Sequence, residues 1–123
     1  MPANIELFAD EAHSRPHDGH LGETDIALGE GEARPIFGCN TGTTVVRDVA
    51  FALDGTGAAH IQLSVDENGK PGVWAMPGES IIAHEGELHP GNGFVVWAKP
   101  IYAFSDHEGE YEFDFLVTGV SVG

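Results

Sequence analysis

The sequence predicts an all-β protein, an antiparallel β-sandwich of about seven to nine strands. Three features lead to this. Within residues 48–53, Val49, Phe51 and Leu53 alternate with smaller or polar residues, which is the period of a strand with one buried face. The 123 residues include 17 glycines and 7 prolines, which suits short strands joined by tight turns. No stretch of ten residues has a helical period, and the length is that of one domain.

Each predicted strand is an apolar or alternating run between turn residues. In order they are 5–8, 25–28, 33–39, 43–53, 60–65, 73–76, 80–83, 94–104 and 110–120. Pro35 indicates an edge position, and the run at 43–53 is expected to bend near Arg47. Gln62 and Ser64 are expected to face solvent. Trp74 and Trp97 are expected in the core, with surface anchoring of a partner as the alternative.

The chain divides into an irregular N-terminal arm and the sandwich. Residues 1–23 form the arm, with a possible short strand at 5–8, because residues 10–22 are polar and interrupted by Pro and Gly. Residues 24–123 form the sandwich.

The charge balance limits the possible partners. The chain has twenty acidic and five basic residues, which gives a formal charge of −15. Such a chain has no basic patch for phosphates, so we expect neither nucleic-acid nor membrane binding. The N-terminus shows no signal-peptide pattern, and no apolar run approaches the roughly 18 residues of a membrane helix. We therefore expect synthesis in a cytoplasm and a soluble product.

The chain has one cysteine, Cys39, so no internal disulfide forms. It follows the apolar residues Ile36 and Phe37. A buried core thiol is the favoured interpretation over a nucleophile, since no motif places a histidine beside it.

Two groups of histidines are candidate metal ligands. His13, His17 and His20 are close enough in sequence to converge on zinc or nickel, although a solvated or partner-contacting arm is favoured. His84 and His89, with the glutamates between them, suggest a cupin-like metal site. The histidine pair one residue apart that cupins carry is absent.

Other patterns do not predict catalysis. Glu110, Glu112 and Asp114 share one face of the last predicted strand, where three acids are better explained as a solvated face than as a glycosidase pair. Residues 66–69 are a hairpin turn rather than a calcium loop, because Lys70 takes a ligand position. No phosphate loop, dinucleotide fingerprint or nucleophile elbow is present. We therefore expect no enzyme activity and no cofactor.

The turn and strand residues resemble those of bacterial adhesion-type immunoglobulin-like domains. The matching segments are Cys-Asn-Thr-Gly-Thr at 39–43, Val-Ala-Phe at 49–51, Leu-His-Pro-Gly at 88–91, Phe-Val-Val-Trp at 94–97 and Phe-Leu-Val-Thr-Gly at 115–119. More narrowly, the chain is similar to the small stand-alone versions encoded by tailed bacteriophages, which are parts of the virion. The resemblance covers about residues 24–121 and implies an immunoglobulin-like β-sandwich without catalytic residues.

The resemblance implies a structural virion protein, most simply a capsid decoration protein on the outer capsid surface. Its partner would be the major capsid protein, and a homo-oligomer is possible. We expect docking through the arm, on Ile5, Leu7, Phe8, Arg15 and His17, because a segment outside the sandwich can order on a partner. One alternative is a tail or baseplate ornament that binds another tail protein or a host glycan. Another is a cupin-like metal-dependent enzyme that uses His84, His89 and the arm.

Overall fold

A computed structural model describes residues 5–17, 33–55, 57–101 and 114–122. The described residues form eight strands. They are β1 (Ile5–Phe8), β2 (Arg34–Asn40), β3 (Val45–Asp54), β4 (Ile61–Glu67), β5 (Lys70–Trp74), β6 (Ile81–Leu88), β7 (Gly93–Pro100) and β8 (Asp114–Val122). One 3-10 turn, Ala58–His60, precedes β4. The predicted strand at 25–28 lies outside the described residues, as does the start of the last predicted strand.

The strands form two antiparallel sheets. One has five strands in the order β1-β2-β7-β4-β5, and the other has three in the order β6-β3-β8. The side chains that lie between the sheets form one core (Ile36, Val46, Val49, Phe51, Ile61, Leu63, Leu88, Phe94, Val96 and Ala98). The predicted antiparallel β-sandwich is confirmed.

The order of the strands differs from the immunoglobulin order. Immunoglobulin domains place their first, second, fourth and fifth strands in one sheet and their third, sixth and seventh in the other. Here β7 lies in the larger sheet, between β2 and β4. β2 pairs with β7, β3 with β6 and β4 with β5, so along the chain each pair encloses the next. Such nesting is typical of a jelly roll, an architecture shared by viral capsid proteins, lectins and cupins, so it does not itself assign a function.

The bend predicted in the run at 43–53, which forms β3, is confirmed. Asp48 has a positive φ of 54°, and the pairing of β3 with both neighbours shifts register just after Arg47. A β-bulge of this kind re-aims the side chains that follow it. Val49 and Phe51 consequently point into the core, as the alternation predicted, while Ala50 lies on the outer side.

The N-terminal segment is part of the larger sheet. The predicted strand at 5–8 is confirmed as β1, which pairs with β2 from Ile5 opposite Asn40 to Phe8 opposite Phe37. The chain then turns and runs back beside β1, where the His17 amide donates to the Leu7 carbonyl at 3.0 Å. The expectation that this strand lies outside the sandwich is therefore wrong, because Ile5 and Leu7 pack against the core. The proposed boundary at residue 23 lies outside the described residues.

Candidate partner-binding face

The outer face of the three-stranded sheet carries three exposed aliphatic side chains. Ile82 of β6 is 51% exposed, and Leu116 and Val120 of β8 are 46% and 49% exposed. Along β8 the alternation leaves Phe115 and Val117 to pack against the core, so residues 116 and 120 must face outward. We call this surface, with Ala50 and Ala52 of β3, the aliphatic face.

The register brings these side chains together across the sheet. Ala50 pairs with Ile82 on one side and Thr118 on the other, and Ala52 pairs with Leu116. Ala50 thus presents a methyl group between larger side chains on both neighbours, and Ala52 presents one beside Leu116 of β8. The surface is lower along β3 than along β6 and β8, which makes it a shallow trough on a rigid sheet.

Two carboxylates stand opposite each other at one end of the trough. Asp54 of β3 and Asp114 of β8 are directly paired across the strands, and both are exposed. Residues opposed in this way have Cβ atoms only about 4.5–5.5 Å apart, and like charges there destabilise the sheet. A cation from a partner would remove this repulsion.

Charged side chains also border the other end of the trough. Arg47 of β3 lies opposite Glu87 of β6 and Val120 of β8. Its Nε is 3.9 Å from a carboxylate oxygen of Asp48, and both side chains are more than half exposed. A pair so exposed contributes little to stability, so its charges are available to a partner.

The residues predicted to bind a partner are placed on several different surfaces. Ile5 and Leu7 pack against the core between the sheets. Phe8 is buried on the opposite side of β1, with its ring centroid 5.3 Å from that of His13. His17 is half-buried and meets the Phe115 ring edge-on at 5.5 Å. Arg15 is exposed. Ile5, Leu7 and Phe8 therefore contribute to packing within the protein.

The candidate metal ligands that the structure describes do not form a metal site. His13 lies over Gly93, where a Cβ atom would come within 2.8 Å of its ring, whereas His17 points toward Phe115. His20 lies outside the described residues. His84 Nε2 lies 3.2 Å from the Glu87 carbonyl oxygen, and His89 Nε2 lies 3.6 Å from the Glu87 carboxylate. Across the described ranges, no three His, Cys, Asp or Glu side chains form a group that suits a metal ion.

The two tryptophans are not in the core. Trp74 and Trp97 pair with Ser64 from its two sides, on the outer face of the five-stranded sheet, and both are half-buried. The expectation of core packing is wrong for both, because their inward neighbours occupy that side. Ser64, expected to face solvent, is fully buried between them.

The aliphatic residues of β8 were visible in the sequence, but the sequence analysis considered only the acids that precede them. The alternate positions that the sequence assigns to one face of the last predicted strand are acidic at 110, 112 and 114 and continue with Leu116, Thr118 and Val120. A purely solvated face would stay polar along its whole length. Of the acids, Asp114 is exposed as predicted, and the other two lie outside the described residues.

No helix in the described part of the chain is long and apolar enough to cross a membrane. Comparison with protein-family models, with curated proteins and with solved structures finds no match.

Proposed function

We propose that this protein is a structural component of a tailed-phage virion that binds the outer surface of the capsid. The observation that carries the proposal is the aliphatic face, a set of exposed aliphatic side chains on a rigid sheet beside the opposed carboxylates Asp54 and Asp114. Exposed apolar patches on soluble proteins mark interaction surfaces. The resemblance of the turn residues to small phage immunoglobulin-like proteins supplies the virion context.

The aliphatic face defines the chemistry of the partner. The partner surface has an apolar centre that fills the trough over Ala50 and Ala52, and a basic group that meets Asp54 and Asp114. Two copies of this chain each carry a formal charge of −15, and their mutual repulsion disfavours a symmetric dimer through this surface. A surface of the major capsid protein that combines an apolar centre with a basic group would satisfy both requirements.

The binding would stabilise the capsid by mass action. Complete burial of Ile82, Leu116 and Val120, each about half exposed, contributes about 2–4 kcal/mol before association costs. A protein that binds only the assembled lattice shifts the equilibrium toward that lattice. The charged rim would add salt-dependent attraction, since exposed charges are screened over a Debye length of about 8 Å at physiological ionic strength.

Immunogold electron microscopy of the phage that encodes this chain tests the proposal. Gold over the heads is the expected result. Gold confined to the tails would contradict capsid binding and support the tail or baseplate alternative. Particles that lack the protein altogether would overturn the virion role, and a stoichiometric metal in the purified protein would then support the metalloenzyme alternative.

Binding to particles prepared without the protein then tests the aliphatic face. Leu116→Asp and Ile82→Asp are expected to weaken co-sedimentation at least tenfold, because each places a carboxylate in the apolar contact. The matched control is Val73→Asp, since Val73 is 84% exposed on β5 of the other sheet. Equal loss in the control variant, or no loss in the first two, would rule out this face as the docking surface.

A further inference from the structure

We infer that the aliphatic face receives an amphipathic α-helix of its partner, which lies along β3 with a basic N-terminal end over Asp54 and Asp114. The inference rests on the proposed role of this face as a docking surface and names the structural element that docks there. Three properties of the described residues support a helix. They are the hydrogen bonding of β3, the shape of the trough and the charges at its two ends.

The aliphatic face offers a docked chain no backbone hydrogen bonds. β3 pairs with β6 on one side and with β8 on the other, so its own backbone groups are used within the sheet. An extended segment that lay on these aliphatic side chains would bury its N–H and C=O groups without partners. An α-helix satisfies these groups internally, so it can cover an apolar surface without that cost.

The shape of the trough favours a helix over the face of another sheet. Ile82 and Thr118 flank Ala50, and Leu116 stands beside Ala52. β6 and β8 are two interstrand spacings apart, about 10 Å, which matches the diameter of a helix with its side chains, about 10–12 Å. Side chains on one face of such a helix reach the alanines. A broad sheet would rest on Leu116 and Ile82 and lose dispersion contacts with the alanines below.

The charges at the two ends of the trough set the direction of the helix. Asp54 and Asp114 place two opposed carboxylates at one end. The other end carries Arg47 together with Asp48 and Glu87, so its charge is mixed. A helix has a partial positive charge at its N-terminus and a partial negative charge at its C-terminus. The N-terminal end, with Lys or Arg in its first turn, therefore lies over the two carboxylates, and the helix runs antiparallel to β3.

The trough also sets the length of the helix. From Asp54 to Arg47, β3 extends about 20 Å at the rise of a β-strand. A helix of that length has about 13 residues and roughly four turns. Side chains spaced by three and four residues lie on one face of a helix, and that face would meet Ile82, Leu116 and Val120.

Synthetic peptides test the helix by NMR titration of the isotope-labelled full-length protein. The first peptide has about 14 residues, with leucines at helical spacing and lysines in its first turn. The second has the same composition with the lysines in its last turn. The third is the first peptide with a central proline, which breaks the helix. In isolation the second peptide is the better helix former, so tighter binding of the first reports the charges of the protein.

We expect the first peptide to bind at least threefold more tightly than the second and at least tenfold more tightly than the third. Its binding should shift the amide signals of Ala50, Ala52 and Thr118 and increase the helicity of the peptide by circular dichroism. Equal or tighter binding of the second or third peptide would overturn the inference. Absence of binding by all three, or shifts confined to the five-stranded sheet, would also overturn it.

Variants of the protein assign the effect to particular side chains. Asp54→Asn combined with Asp114→Asn is expected to remove the preference for the first peptide over the second. Leu116→Asp is expected to weaken binding of both peptides at least tenfold, because it places a carboxylate in the apolar contact. The matched control Val73→Asp, on β5 of the other sheet, is expected to keep full binding. A preference that survives removal of both carboxylates would contradict the proposed direction of the helix.

Photocrosslinking on the capsid gives a second readout of the docked element. A photoreactive residue replaces the exposed Thr118, and mass spectrometry identifies the capsid residues that it labels. Labelled residues spaced by three or four support a helix, whereas a spacing of two would indicate a strand and overturn the inference. Immunogold localisation does not depend on the docked element, and the peptide titration does not depend on capsids. Failure of the helix and failure of the virion role are therefore distinguishable.

Discussion

The side-chain amide of Asn40 donates a hydrogen bond to the main-chain carbonyl of Leu88 at 2.9 Å and so joins the two sheets at one end of the sandwich. The same amide donates to the Thr44 carbonyl at 2.9 Å, and its oxygen accepts from the Gly42 amide at 3.0 Å. The main chain of Asn40 exchanges further bonds with Gly91 and Asn92. Two turns far apart in sequence are thereby one hydrogen-bonded unit.

Asn40→Ala is expected to lower the free energy of unfolding by about 2–4 kcal/mol. Asn40 is fully buried, so its removal leaves the Leu88 and Thr44 carbonyls without their donor. Urea denaturation measures the change. Thr43→Ala, an exposed substitution in the same turn, is the control and should stay within about 0.5 kcal/mol of the parent. A loss for Asn40→Ala as small as that of the control would contradict the prediction.

Gly38→Ala is expected to cost about 1–3 kcal/mol through overpacking. The Phe94 ring lies directly over the Gly38 backbone, so an added Cβ would fall against its ring carbons. The double variant Gly38→Ala/Phe94→Leu is expected to be less destabilised than the sum of the single changes, since the smaller side chain vacates that space. Strictly additive effects in denaturant titrations would show that the ring does not oppose the methyl group.

The thiol of Cys39 is expected to resist alkylation in the folded protein. Burial, and secondarily the negative charge of Glu6 on the neighbouring strand, raise the pKa of Cys39 and favour the neutral thiol. Iodoacetamide labelling followed by mass spectrometry should proceed roughly a hundredfold or more slower than in urea, because reaction requires local opening. Equal rates in buffer and in urea would show that the thiol is accessible.

The raised pKa of Cys39 also gives stability a definite pH dependence. The folded state holds its thiol proton to higher pH than the unfolded chain does. The stabilisation is therefore complete below the thiol's ordinary pKa and declines as the pH rises through it. The free energy of unfolding of Cys39→Ala, measured across the same pH range, is expected to lack this decline.

The turn after β1 is expected to loosen in acid. Ser14, through its hydroxyl, and the Arg15 and Ser14 amides donate hydrogen bonds to the Asp10 carboxylate, which lowers its pKa. Because the folded-state pKa is depressed, the stabilisation is present above the ordinary value and is lost as the pH falls through the lowered one. An NMR titration that follows the Ser14 amide signal measures the midpoint of this loss. Ser14→Ala should move the midpoint upward, and an unchanged midpoint would contradict this assignment.

The local features of this fold could be predicted from the sequence, because short-range physics controls them. Alternation within residues 48–53 predicted which side chains of β3 are buried, and the bend near Arg47 was expected at the position where Asp48 now shows a positive φ. The strands at 5–8 and 33–39 were predicted to within one residue of their observed bounds. A residue's own neighbours decide these properties.

The sequence by itself determined the all-β class, the alternation that separates core from surface, and the formal charge of −15. Only the tertiary structure decided the order of the strands, with β7 between β2 and β4, because pairing between distant segments has no local signal. It also decided which face of each sheet stays exposed. Trp74 and Trp97 lie outside the core, and Leu116 faces outward beside Ala52, because burial depends on what packs against a strand as well as on the strand's own residues.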